Sequence, residues 1–125
     1  MPERPQSIIL VFDADSGLRA LVVDVLKKLS GREDCTLCEI TYSPVGKRRA
    51  WVACARRLGV PIEELHRDQL PASWGITRAE LPCILARPAQ GDPTILVSRD
   101  ALAACQGSVA ELERRLREAL ASAAA

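Results

Sequence analysis

The sequence Leu81-Pro82-Cys83-Ile84-Leu85-Ala86 leads, through a polar segment at residues 87–93, into Thr94-Ile95-Leu96-Val97-Ser98. Proline has no amide donor, so it is found at the head of a strand but not inside one. We therefore expect a strand over residues 83–86 that begins directly after Pro82. The polar segment contains one glycine and two prolines. This composition predicts the loop of an antiparallel hairpin, with a return strand over residues 94–98 and a capped helix after it.

Strand and helix patterns alternate in the first part of the chain. Residues 8–12 form a continuous β-rich run, Ile-Ile-Leu-Val-Phe, typical of a strand buried on both faces of a sheet. A helix is predicted between a cap at Asp15 or Ser16 and a stop at Gly31, because its apolar residues recur at three- and four-residue spacing. A second strand is expected over residues 36–42.

The second part of the chain continues this alternation. Ser43 and Pro44 resemble the cap and first turn of a helix that ends at Gly59. A third strand is expected over residues 62–66. The last helix follows Ser108-Val109-Ala110-Glu111, which has the pattern of a capping box. The predicted order is therefore β-α-β-α-β-β-β-α.

Length and composition indicate one ordinary domain. The chain has 125 residues, 48% of them hydrophobic, so we expect a single domain over residues 1–125 with frayed ends at 1–6 and 122–125. A net charge of +1 gives no reason to expect nucleic acid or a membrane surface as a partner. The apolar run at 8–12 is too short for a signal peptide or a membrane span, which predicts a cytoplasmic protein. Five cysteines are an odd number, so a structural disulfide framework is not expected.

Several short motifs resemble the thioredoxin-like fold. Leu65-His66-Arg67-Asp68 stands where thioredoxins have a strand ending in aspartate, Trp74-Gly75-Ile76 matches an aromatic-Gly-Val/Ile step, and Leu81-Pro82-Cys83 matches Ile-Pro-Thr. The resemblance implies a three-layer sandwich with a mixed central sheet, in which Pro82 is cis and faces the active site. The motifs Asp13-Ala14-Asp15-Ser16-Gly17 and Cys35-Thr36-Leu37-Cys38 also resemble a small uncharacterised bacterial and plant family that lacks the usual cysteine pair.

The chain departs from thioredoxins at the reactive cysteine pair. That pair follows the second strand in thioredoxins, but here the corresponding segment, residues 42–47, reads Tyr-Ser-Pro-Val-Gly-Lys and contains no cysteine. Serine cannot replace a thiol in disulfide exchange. The Cys-x-x-Cys motif of this chain, Cys35 and Cys38, lies instead before or within the predicted second strand.

Three interpretations of Cys35 and Cys38 remain open. They would act as a dithiol switch that exchanges with protein thiols, because the spacing suits a short disulfide. They would form half of a zinc site, within one chain or across a dimer, if other ligands were gathered around them; the available ones are Cys54, Cys83, Cys105 and His66. They would otherwise be small buried hydrophobic residues. We predict no metal and no other cofactor.

A second candidate site follows from the predicted topology. Ligands of parallel sheets bind beyond the carboxyl ends of the strands. The residues expected to line a groove there are Asp13, Asp15, Ser16, Ser43, His66, Asp68, Trp74, Pro82 and Cys83. The same carboxylates and hydroxyls would also serve as helix caps and loop partners. A hydrolytic role of Asp13, Asp15 and His66 with a metal ion is a further alternative.

A basic segment is the last candidate. Its residues are Lys47, Arg48, Arg49, Arg56 and Arg57. They would bind a phosphate or an acidic partner at the start of a helix, or form an ordinary solvated surface. The sequence thus gives two functional hypotheses: thiol/disulfide exchange with Cys35 and Cys38 as catalytic residues, or a non-catalytic module that binds a peptide or small ligand near Pro82.

Overall fold

The computed structural model describes residues 5–13, 36–43 and 46–124. The strands in these residues are β1 (Ser7–Phe12), β2 (Tyr42–Ser43), β3 (Gly46–Lys47), β4 (Ile62–His66), β5 (Cys83–Arg87) and β6 (Thr94–Val97). The helices are α1 (Thr36–Thr41), α2 (Arg49–Leu58), α3 (Arg99–Ala104) and α4 (Val109–Ala124). Short 3₁₀ turns occupy Arg67–Gln69, Ala72–Trp74 and Arg78–Glu80 in the segment between β4 and β5.

The main sheet is mixed and has the strand order β4-β1-β5-β6. Strand β1 runs parallel to β4 and antiparallel to β5, and β5 runs antiparallel to β6. The predicted α/β class, the mixed sheet and the β5–β6 hairpin are therefore confirmed. Tyr42–Ser43 and Gly46–Lys47 form a separate two-stranded sheet.

Strand β1 lies between two apolar clusters, one on each face of the sheet. All six of its residues are buried, as expected for a strand covered on both faces. Its alternate residues Ile8, Leu10 and Phe12 pack with the helices on one face. On the other face, Ile9 and Val11 pack with a cluster that the β4–β5 segment covers; its further members are Leu65, Leu70, Trp74, Ile76, Leu81, Cys83 and Leu85.

The prediction of a strand over residues 36–42 is wrong, since residues 36–41 form helix α1. Leu37, Ile40 and Thr41 are fully buried, and their three- and four-residue spacing places them on one helical face. The Thr41 hydroxyl donates a hydrogen bond of 2.9 Å to the Leu37 carbonyl oxygen, one helical turn earlier. Cys38 therefore belongs to a helix and not to a strand of the sheet.

The predicted start of the next helix is also wrong. Helix α2 begins at Arg49, and its N-cap Arg48 makes no capping hydrogen bond through its side chain. Ser43 lies in β2 and caps no helix, and Lys47 lies in β3, outside the first turn of α2. The predicted end is confirmed at Gly59, whose φ of 68° is in the left-handed region that favours glycine.

The remaining elements differ little from expectation. Strand β4 has the predicted bounds. The Ser108 hydroxyl accepts a hydrogen bond from the Glu111 amide at 3.2 Å, which begins α4 as a capping residue does. Helix α3 was not predicted; Ser98, expected as the end of a strand, is its N-cap. The predicted helix after Asp15 and Ser16 lies outside the described residues.

Candidate functional site

Three chain segments meet at one edge of the sheet. Phe12 at the end of β1 is level with His66 at the end of β4, and Val11 is opposite Cys83 at the start of β5. In an antiparallel pair, the residue before Cys83 is level with the residue after Val11, so Pro82 comes beside Phe12. The predicted groove brings Pro82 to the ends of the first three strands, and the register confirms this for the first of them. His66, at the end of the third predicted strand, is on the far side of Phe12 from Pro82. The segment predicted as the second strand is not part of this sheet.

An ion pair joins the ends of β1 and β4. An Nη1 atom of Arg67, directly after β4, lies 3.3 Å from Oδ1 of Asp13, directly after β1. The two side chains are 27% and 24% exposed, so the pair is partly desolvated but still reached by solvent. A guanidinium offers planar N–H donors and a carboxylate offers acceptors. The pair therefore presents both kinds of hydrogen-bonding group at this edge.

His66 is held in place by neighbours on both sides. Its ring is tilted against the Phe12 ring, with 5.6 Å between centroids. The His66 amide donates a 2.9 Å hydrogen bond to the Gln69 side chain, and the ring Nδ1 lies 3.3 Å from the same oxygen. These contacts make His66 the cap of the 3₁₀ turn Arg67–Gln69. Arg67 is the first residue of this turn, so the same contacts position it directly after β4.

The head of β5 contributes a buried proline and a buried thiol. The Leu81–Pro82 peptide bond is cis, as the resemblance implies. Cys83 is fully buried, and loss of hydration raises the pKa of its thiol to about 12, with a smaller contribution from the negative charge of Glu80. A thiol with so high a pKa is protonated at neutral pH and is a poor nucleophile. Cys83 therefore shapes this edge but supplies no reactive sulfur.

Trp74 packs on the same face of the sheet as Cys83. Its cation–π contact, however, is with Arg87, at the other end of β5. The guanidinium carbon of Arg87 lies 5.5 Å from the centre of the Trp74 ring, and Arg87 is at the opposite end of β5 from Cys83. Trp74 also packs against the apolar cluster under the β4–β5 segment. Its ring thus helps cover the sheet and contacts the far end of the strand that Pro82 precedes.

The other predicted site residues are divided between different parts of the chain. Asp68 is exposed in the turn that follows His66. Ser43 is in the separate β2–β3 pair. Cys38 is in α1, whereas Asp15, Ser16 and Cys35 lie outside the described residues.

Sequence reasoning missed the part that Phe12 plays at this edge. The sequence pattern marks Phe12 only as the last residue of a buried strand, yet its ring packs against the His66 ring. Its position directly before Asp13 was the available signal, because the last side chain of a strand borders the loop where ligands bind. The pairing of Arg67 with Asp13 depends on two strands meeting in space and has no local sequence signal.

Three cysteines that the structure describes with their side chains are separate buried thiols. Cys54, Cys83 and Cys105 are free and buried. Burial raises the pKa of Cys54 to about 11 and also raises that of Cys105. Over residues 5–13, 36–43 and 46–124, no group of three or more histidine, cysteine or acidic side chains is arranged to hold a metal ion. None of the helices described in that part of the chain has the length and apolar character needed to cross a membrane.

The fold and this edge define a mixed α/β domain with a polar cluster where β1, β4 and β5 meet. No protein-family model matches the chain, and no curated protein or solved structure matches it.

Proposed function

We propose that this chain is a thioredoxin-like domain that binds an extended peptide segment at the edge formed by Asp13, His66, Arg67 and Pro82. The sheet order β4-β1-β5-β6, with β5 preceded by Pro82, is compatible with that fold. The resemblance to thioredoxins rests on the short motifs that contain His66, Trp74 and Pro82. The proposal concerns binding and assigns no catalytic step to this edge.

The contact between Arg67 and Asp13 carries the proposal. It brings a partly exposed cation and a partly exposed anion together where two parallel strands end. The amide groups of an extended peptide are both donors and acceptors, and charge-assisted hydrogen bonds to them are stronger than neutral ones. Cys83, the thiol that the register brings to the edge, is protonated and buried. Binding without covalent chemistry is therefore the use that these groups support best.

A selection from a random-peptide display library against the immobilised protein would test this proposal. The affinity of one selected peptide is then measured by calorimetry for the wild type, Arg67→Ala and Arg49→Ala. We expect Arg67→Ala to weaken binding about tenfold, the loss of one charge-assisted hydrogen bond. Arg49→Ala is the matched control, because Arg49 is an exposed arginine on α2. Equal affinities for all three proteins would contradict the proposal.

Thiol/disulfide exchange by Cys35 and Cys38 is the second candidate, and it rests on their Cys-x-x-Cys spacing, which suits a short disulfide. In the described residues, Cys38 belongs to helix α1. The step would begin with a thiolate of the pair attacking a protein disulfide, releasing one substrate sulfur as a thiolate. The second cysteine then displaces the other substrate sulfur, which leaves a Cys35–Cys38 disulfide and a reduced substrate.

Substitution of Cys35 and Cys38 distinguishes the two candidate functions. Insulin reduction in the presence of dithiothreitol is measured for the wild type, Cys35→Ser and Cys38→Ser, together with redox titration of the wild-type thiols. Exchange chemistry requires that both substitutions abolish the activity of the wild type. The peptide-binding proposal requires that the doubly substituted protein, Cys35→Ser with Cys38→Ser, keeps its affinity for the selected peptide.

A further inference from the structure

The two faces of the main sheet are covered in different ways. On one face, helices α1 to α4 bury whole side chains such as Leu116 against the sheet. On the other face, the cover comes from residues 70–80, a segment that we call the strap. Each residue of the strap is half-buried or exposed. Its apolar side chains, which pack on the sheet while partly exposed, are Leu70, Trp74 and Ile76. Less burial therefore holds the strap than holds the helices.

The backbone hydrogen bonds of the strap are local. The amides of Trp74, Gly75 and Glu80 each donate to a carbonyl oxygen three residues earlier, at 3.0–3.2 Å. Within the described residues, no backbone–backbone hydrogen bond joins the strap to a strand or to one of the helices α1 to α4. The strands beneath it pair with one another instead, β1 with β4 and β5. The sheet therefore keeps its own hydrogen bonds if the strap moves away.

Two polar contacts tie the strap to its surroundings. Arg99, at the start of α3, donates a hydrogen bond of 3.2 Å from Nη1 to the Ala79 carbonyl oxygen. The Arg87 guanidinium lies over the Trp74 ring. Both contacts are made by long side chains at the protein surface, where water competes for the same groups. They position the strap without fixing it firmly.

Cys83 lies beneath the end of the strap. It is fully buried, and it belongs to the same apolar cluster as Trp74 and Ile76. Burial, and after it the negative charge of Glu80 in the strap, raises the pKa of the Cys83 thiol. Cys83 is therefore a natural reporter of whether the strap is in place.

We propose that the strap opens as a unit while the sheet and the helices stay folded, which uncovers the apolar face that contains Ile9, Val11, Cys83 and Leu85. Segments with little burial and local hydrogen bonds open at a lower free energy than the whole domain unfolds. The uncovered face adjoins the edge beside Pro82, because Val11 and Cys83 are opposite each other there. Opening thus gives that edge an apolar surface that the closed form lacks. The proposal does not depend on peptide binding.

Thiol labelling of the full chain in urea, well below the unfolding midpoint, tests this opening. Iodoacetamide is used at concentrations where the rate is proportional to reagent, and peptide mass spectrometry gives the rates for Cys54, Cys83 and Cys105. Each rate is divided by that of the same cysteine in the fully unfolded chain. Cys54 and Cys105 are matched controls, because they are buried in the helix-covered cluster. We expect Cys83 to be labelled at least about tenfold faster than either control. Equal corrected rates would overturn the proposal.

Two glycines give matched variants. Gly75 in the strap and Gly59 at the end of α2 have φ angles of 69° and 68°, and a Cβ at either position would meet open space. Alanine is strained in this left-handed region. Gly59→Ala strains a part of the fold that stays folded when the strap opens. It should therefore speed the labelling of Cys54 and Cys105 about tenfold and leave the Cys83 rate unchanged.

Gly75→Ala should give a different pattern. It strains the closed strap, and the strain is released both in the open form and in the unfolded chain, so all three cysteines should be labelled about tenfold faster. If Gly59→Ala speeds Cys83 as much as the other two cysteines, the strap does not open separately and the proposal is overturned. A Cys83 rate that Gly75→Ala leaves unchanged would also overturn it. Circular dichroism checks that each variant is folded, and the wild-type rates are a test without the variants.

Discussion

Glu63 on β4 bonds to Arg87 on β5 across β1, the strand that separates them in the sheet. The Arg87 Nε and Nη2 atoms donate to the two carboxylate oxygens of Glu63 at 2.8 and 3.3 Å. The hydroxyl of Ser7 on β1 donates to the same carboxylate at 2.6 Å. The Arg87 guanidinium also lies over the Trp74 ring. The Glu63 carboxylate therefore links β4 to both β1 and β5 near the amino end of β1. Through Arg87 it is also connected to Trp74 in the β4–β5 segment.

The coupling between Glu63 and Arg87 is measurable but modest. The side chains are 45% and 37% exposed, so solvent screens the pair. A double-mutant cycle with Glu63→Gln and Arg87→Gln should give a coupling free energy of about 0.5–1 kcal/mol in urea denaturation, with the lower value in high salt. A coupling of zero at low salt would mean that the contact adds nothing to stability.

Glu113 makes the fold sensitive to acid. On α4, it accepts hydrogen bonds from Arg57 on α2 at 3.2 and 2.7 Å, and these, followed by the bonds from Arg117, lower the pKa of Glu113 to about 2. An unfolded glutamate has a pKa of about 4.3. A lowered pKa in the folded state gives stability that is present above the unfolded value and is lost as the pH falls toward 2.

Glu113→Gln should therefore lower the free energy of unfolding at pH 7. It should also make that free energy depend less on pH in the acid range. Between pH 5 and pH 2, about the span of the two pKa values, the free energy of unfolding should fall less steeply for Glu113→Gln than for the wild type. Arg57→Met should have a similar effect, because it removes the first donor to Glu113. Urea denaturation at several pH values gives these slopes. Parallel slopes for all three proteins would contradict the assignment.

Cys83 should be inert in the native protein. Its complete burial and a pKa of about 12 leave almost no accessible thiolate at pH 8. Iodoacetamide labelling followed by peptide mass spectrometry should show Cys83 unmodified in buffer and modified in denaturant. Fast modification of Cys83 in the folded protein would show that reagents reach the edge near Pro82. It would contradict the conclusion that Cys83 is unreactive.

Ile40 tests the burial of the inner face of helix α1. Its side chain is fully buried between the sheet and the helices. Ile40→Val should cost about 0.5–1.5 kcal/mol of stability and Ile40→Ala about 2–5 kcal/mol, because each leaves a larger cavity. Ala103→Gly, at an exposed position of α3, should cost no more than about 1 kcal/mol. A loss at Ile40 no larger than at Ala103 would contradict the burial of that helical face.

The elements with strong periodic patterns were predictable. The β-rich run at 8–12, the hairpin on either side of residues 88–93 and the capped last helix have local causes, and each is present in the structure. Residues 36–42 misled the prediction because threonine, isoleucine and tyrosine favour strands. The spacing of Leu37, Ile40 and Thr41 was the better signal, since three- and four-residue spacing is the mark of a helical face.

Helix α3 and the start of α2 were harder to predict for a different reason. Ser98 continues an apolar run, so its capping role is visible only once β6 is known to end at Val97. The start of α2 has no side-chain cap, and Ser43-Pro44 offered a false one upstream.

The candidate edge was predictable only in part. The rule that ligands bind beyond the carboxyl ends of parallel strands selected Asp13, His66 and Pro82, and the strand register brings their segments together. Partners that depend on exact side-chain reach, such as Arg67 for Asp13 and Glu63 for Arg87, could not be found, because 54 and 24 residues of sequence separate them.

The edge beside Pro82 should bind peptide without the cysteine pair. Amide chemical-shift mapping of the full chain, with the selected peptide added to wild type and to the Cys35→Ser, Cys38→Ser variant, measures this binding residue by residue. We expect both proteins to show their largest shifts at Phe12, Asp13, Arg67 and Cys83. Shifts confined to other parts of the chain, or shifts lost when the two cysteines are replaced, would contradict it.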